Sequence, residues 1–114
     1  MIRIIKADNN IKERLSASND AFCVFDGKAL MGVCEYEITP AKVKILRLCC
    51  DDNTLKDGLV RQTLNFALDN GCAEAQFDDK IRDELINIGI LRKGSENCLN
   101  ILEFFAKLNG VEIF

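Results

Sequence analysis

Three adjacent residues, Glu35, Tyr36 and Glu37, form the densest proton-handling group in this 114-residue chain. On an extended strand the two carboxylates share one face and the phenol points to the other. Lining a groove, such carboxylates take a proton from an amine or hold it as an ammonium. On an open sheet face they are instead solvated, or pair with Lys42, Lys44 and Arg47 of the next strand. A second group lies at the far end of that next strand. Leu48, Cys49 and Cys50 close it, a polar turn follows over 51–56, and Lys56, Asp57, Gly58, Leu59 and Arg61 lead into a helix. A helix N-terminus at the carboxyl end of a strand is where anions and phosphates are often held. Asp51, Asp52 and Asp57 bring negative charge to that junction, partly offset by Lys56 and Arg61. The same aspartates read as turn formers and as a cap at the positive end of the helix.

The residues that are missing narrow the chemistry. The chain has no histidine, so Ser-His-Asp and Cys-His catalysis and histidine-ligated metals are excluded within one chain. A base has to be Asp, Glu, Cys, Lys, Tyr or a relayed water. The six cysteines, Cys23, Cys34, Cys49, Cys50, Cys72 and Cys98, form no C-x-x-C pair, and their spacing supports no zinc site. Most sit in apolar runs and read as small buried hydrophobes kept reduced in a cytosol. Vicinal Cys49 and Cys50 point to opposite strand faces, which disfavours a local disulfide. A net charge of −3 without a basic block indicates no nucleic-acid partner. No apolar run reaches membrane-spanning length, and the first residues read as a strand rather than a signal peptide. A cytoplasmic protein of one domain, 1–114, is the expectation.

These groups need elements to position them. A strand is expected over 1–7, a short helix over 11–18 after the Asp8-Asn9-Asn10 start signal, and a strand over 21–25. Asp26-Gly27 reads as a hairpin turn. The returning strand over 28–39 contains Gly32, where a bulge or close backbone approach is expected. After Pro40 a third antiparallel strand runs over 42–50. A helix over 57–70, stopped by Gly71, carries Val60, Leu64, Ala67 and Leu68 on one stripe and packs on the sheet. A strand over 73–77 and a helix ending at 85–90 follow, the latter capped by Asp78-Asp79. Residues 98–105 read as strand or helix, with Phe104-Phe105 as a core anchor. Asn109-Gly110 then turns into a last strand or docked tail over 111–114.

That order resembles the GNAT acetyltransferases over most of the chain. Phe25-Asp26-Gly27-Lys28 followed by Gly32 is similar to their hairpin, Leu59 to Gly71 to their main helix, and Leu85 to Ile90 to the end of their next helix. The resemblance implies an α+β (α/β) fold: a mixed, mostly antiparallel sheet of about six strands flanked by three helices. It also implies acyl-CoA-dependent N-acetyl transfer to a small-molecule or peptide amine. In that family the pantetheine arm bonds to strand backbone, here near Leu48, Cys49 and Cys50. The pyrophosphate rests on a glycine-rich loop at the helix start, here among Lys56, Asp57, Gly58, Leu59 and Arg61. Glu35, Tyr36 and Glu37 are then the catalytic candidates.

This sequence departs from the family at two points. Matched back from Gly71, the phosphate loop falls on residues 51–56, which contain no glycine. Sliding by two residues brings in Gly58 and leaves Asn53 in the leading position. Bare backbone is what lets N–H groups reach phosphates, so acetyl-CoA is expected to bind weakly or not at all. The family's acid tyrosine falls near Leu85, which has no proton to give. Three functions stay open: an N-acyltransferase, a catalytically degenerate domain acting as a binding or assembly module, and a CoA- or nucleotide-sensing protein without turnover. An apolar strand edge or the N-terminal helix offers a surface for a homodimer.

Overall fold

Alternating apolar and polar residues fold the first half of the chain into an antiparallel sheet. Strand β1 (Ile2–Lys6) is followed by helix α1 (Asn9–Arg14), whose N-cap Asp8 accepts from the Ile11 amide. Strands β2 (Asp20–Asp26), β3 (Ala29–Thr39) and β4 (Lys42–Cys50) come next, each antiparallel to its predecessor. Helix α2 (Asn53–Asp69) crosses over and delivers β5 (Glu74–Phe77) parallel to β4. A 3-10 turn (Asp79–Ile81), helix α3 (Arg82–Asn87), strand β6 (Cys98–Asn100) and helix α4 (Ile101–Leu108) complete the order. The sheet runs β1-β2-β3-β4-β5-β6, with β5 and β6 antiparallel. The computed structural model describes residues 1–108. The expected turn at Asn109-Gly110 and last strand or tail over 111–114 lie outside the described residues.

The two sheet faces bury different cores. One face carries Phe22, Val24, Tyr36, Val43, Ile45 and Leu48 beneath Leu59, Val60 and Leu64 of α2, with Leu85 and Ile101 closing the side. The broad apolar stripe read in the sequence is the face α2 turns to the sheet. The other face has a smaller cluster, Ala21, Cys23, Phe25 and Val33, against Ile11 of α1 and its C-cap Leu15. That cover stops short, so the β3–β4 part of this face carries polar residues.

Several boundaries differ from the sequence expectation. Helix α2 begins at Asn53 rather than at Asp57, because Asp52 acts as N-cap and accepts from the Leu55 amide at 3.0 Å. The β2–β3 turn lies on Gly27-Lys28, since Asp26 still pairs with Ala29. Only Gly27 there takes a positive φ, 61°, as a glycine at the first central position allows. Residues 98–105 divide into the end of a strand and the start of a helix. The close approach expected at Gly32 is present: a Cβ there would stand 2.8 Å from Cβ of Cys50.

Candidate functional site

Strands β4 and β5 are paired only over Lys42–Ile45 and Glu74–Phe77. The Asp78 amide still donates to the Ile45 carbonyl at 3.0 Å. Beyond it, β4 has no strand neighbour on that side among the described residues, because the chain turns off through Asp78, which caps the 3-10 turn by accepting from the Lys80 amide. The register on the other side shifts between Glu35 and Tyr36, leaving Leu46 as an extra residue in β4. A bulge of this kind bends its strand and raises the local twist. Bulge and splay together open a cleft of about 390 Å³ lined by Glu35, Leu46, Leu48, Lys80, Ile81 and Glu84. A larger hollow of about 420 Å³ beside α4, lined among others by Ile90, Ser95, Leu99 and Phe104, gathers none of the candidates named from the sequence.

Of the three proton-handling candidates, only Glu35 lines the cleft. It is 8% exposed, and Arg47, opposite it on β4, donates to its carboxylate at 3.5 Å. This is the cross-strand pairing read from alternation. Cys49 first, and then Glu35, hold the Arg47 guanidinium in its charged form. Glu37 is exposed, opposite Lys44. Tyr36 lies on the opposite face, fully buried between Phe22 (ring centroids 5.6 Å apart) and Phe66 of α2 (6.0 Å). Its hydroxyl has no hydrogen-bond partner among the described residues. Burial, with the charges of Asp20 and Cys34 adding, pushes its phenol well above the ordinary range. The structure thus brings Glu35 to the cleft and sets Tyr36 in the core.

The second group separates in the same way. Leu48 is buried and borders the cleft. Cys49 is exposed on the Arg47 side, while the Cys50 thiol is turned toward the Asp52 carbonyl at 3.5 Å. Leu59 is in the core. Gly58 lies beyond the first turn of α2, where a Cβ would meet Ile4 of β1 at 3.4 Å; its backbone faces the sheet. Asp57 and Arg61 pair with each other at 2.7 Å, one helical turn apart, and the guanidinium lies 5.1 Å from the Phe104 ring of α4. Lys56 is drawn across to α3, its ammonium 3.8 Å from Glu84 Oε2. Glu84, like Lys80 of the preceding 3-10 turn, is a cleft residue that sequence reasoning missed. Its only signal was an acidic residue in a short amphipathic helix, with nothing to name its partner.

Of the six cysteines, Cys23, Cys34 and Cys72 are buried, as their apolar surroundings imply, whereas Cys49 is exposed. Burial raises the Cys34 thiol to about 12, with the charges of Glu35 and Cys23 adding and a Thr63 hydrogen bond opposing. No group of three or more Cys, Asp or Glu among the described residues is arranged to hold a metal ion. No helix among them is long and apolar enough to cross a membrane.

A GNAT-family acetyltransferase from Streptococcus pneumoniae has the same architecture. It superposes with a TM-score of 0.55 at 15% identity, covering 99% of this chain and 89% of that one. The fold is that of the acyl-CoA N-acyltransferases. No protein-family model and no curated protein matches the sequence.

The fold family implies an acyl-CoA cofactor, and the two ends of such a ligand fare differently here. The splayed β4 edge offers unpaired backbone to an extended amide chain. The start of α2 does not suit a diphosphate. Its cap position is filled by the Asp52 carboxylate, Asp51 stands beside it, and Gly58 faces the sheet. Both nearby cations, Lys56 and Arg61, already serve internal carboxylates.

Proposed function

We propose that this chain is an N-acyltransferase that brings an amine to an acyl thioester in the β4–β5 cleft. The observation that carries the reading is the parting of β4 from β5 after Ile45, with unpaired backbone on one side and the Glu35 carboxylate at its edge. The amine nitrogen attacks the thioester carbonyl carbon; a C–N bond forms and the C–S bond breaks. Glu35, or a water held by it, takes the proton lost by nitrogen, and the departing thiolate takes its proton from solvent water. No tyrosine reaches the cleft, so catalysis rests on positioning and on backbone donors. The acceptor is a small-molecule or peptide amine whose ammonium is drawn by Glu35.

A second reading has its own support. The ion pairs Lys56–Glu84 and Asp57–Arg61 occupy the cations nearest the start of α2, which favours a domain that keeps the fold as a binding or assembly module without turnover. Incubation with acetyl thioesters and a panel of primary amines, followed by thiol release and product mass, separates the two. Amide product with stoichiometric thiol supports the transferase. A folded protein that yields neither product nor a ligand-dependent rise in Tm leaves the module.

A further inference from the structure

We infer that the cleft accepts the amide-bearing arm of an acyl thioester and rejects a nucleotide diphosphate, so that the donor is a pantetheine-type thioester rather than acyl-CoA. This rests on the transferase reading and adds the class of donor to it. The cleft has apolar walls and balanced charge: Leu46, Leu48 and Ile81 line it, Glu35 is matched by Arg47, and Lys80 and Glu84 are its other charged residues. An extended, uncharged chain carrying amide groups can bond along the open β4 edge as an added strand would.

The start of α2, outside the cleft lining, is built against anions. Asp51 and Asp52 precede α2, and the Leu55 amide is already taken by Asp52. Lys56 retains only 12% side-chain exposure and is held by Glu84. Glu84 Oε2 is itself buried without a hydrogen-bond partner among the described residues, and Glu84 lines the same cleft. A diphosphate here would have to displace that carboxylate from Lys56 and sit beside it. Arg61 offers no substitute, since Asp57 holds it and Phe104 lies under its guanidinium. Lys80 also lines the cleft and makes no ion pair among the described residues. One ammonium can meet a single phosphate ester, as at the end of a phosphopantetheine arm, but cannot neutralise a nucleotide diphosphate.

The test compares acetyl-pantetheine, acetyl-phosphopantetheine and acetyl-CoA as donors to the same amine panel, with Kd for each donor measured by calorimetry on the full chain. The expected result is a kcat/KM for one or both pantetheine thioesters higher than that for acetyl-CoA. A gain with acetyl-phosphopantetheine that is lost in Lys80→Met assigns the single charge to Lys80; equal use of both points to the free arm. Glu84→Gln, which keeps the side chain and removes its charge, is expected to tighten CoA binding at least tenfold relative to acetyl-pantetheine. A wild-type kcat/KM for acetyl-CoA equal to or above those for both pantetheine thioesters overturns the inference while the transferase reading survives. An unchanged CoA affinity in Glu84→Gln overturns the exclusion assigned to this ion pair. Failure of all three donors to bind or react overturns the transferase reading, and the inference with it.

Discussion

Gly32 and Cys50 meet across β3 and β4 more closely than two side chains allow: a Cβ on Gly32 would lie 2.8 Å from Cβ and 2.9 Å from Sγ of Cys50. The first atom met belongs to the stem of Cys50, so the strands themselves would have to part. Gly32→Ala is expected to lower stability by about 1–3 kcal/mol. Urea titration should show a lower midpoint. Cys50→Ala should not rescue it, because the clashing carbon remains.

Ala41 holds the β3–β4 turn at φ 68° directly after Pro40, a left-handed conformation that costs a side-chain-bearing residue about 1–2 kcal/mol. Its carbonyl accepts from the Ala73 amide at 3.1 Å, which ties the turn to the chain leading into β5. Ala41→Gly relieves the strain and returns part of the gain as unfolded-state entropy. A net rise of about 0.5–1 kcal/mol is expected in the same titration.

Gly58 sits within α2 with room for a methyl group against Ile4. Gly58→Ala should therefore stabilise the protein by about 0.5–1 kcal/mol through helix propensity. The response of Tm to acetyl-CoA should be the same in variant and wild type. A lost response in the variant would place Gly58 at a phosphate site after all.

Asp52 caps α2 through the Leu55 amide at 3.0 Å. Asp52→Ala should cost about 1 kcal/mol, whereas Asp52→Asn keeps a good cap and should cost less than half as much. Circular dichroism melts of the two variants make the comparison directly.

Glu35 is the carboxylate that both faces the cleft and is opposed by Arg47. Glu35→Gln retains the shape and the hydrogen-bonding stem, so Kd for a thioester donor should stay unchanged. Amide formation should slow by about 10²-fold, the scale of a lost general base. Equal rates in variant and wild type would remove Glu35 from the chemistry.

Much of the sheet could be read before its coordinates, because alternation along residues 21–25 and 42–50 fixes which side chains share a face. The same reasoning paired Arg47 with Glu35. It placed the start of α2 too late: Asp51, Asp52, Asn53 and Thr54 are all turn formers, and only the hydrogen bond from Leu55 reveals which one caps. Alternation set Tyr36 opposite Glu35 but could not say which face α2 would cover, so the burial of the phenol against Phe22 and Phe66 was out of reach. Glu84 was equally hidden. Its partner Lys56 stands on another helix, and no local pattern joins residues brought together only by the crossover.

The incomplete cover that α1 gives its face of the sheet has a practical side. It leaves the sulfur of Cys49 open to solvent next to the guanidinium of Arg47, while Cys23, Cys34 and Cys72 are sealed inside. A maleimide fluorophore should therefore attach there first under native conditions, giving a reporter next to Arg47, a wall of the proposed reaction chamber, without any engineered label.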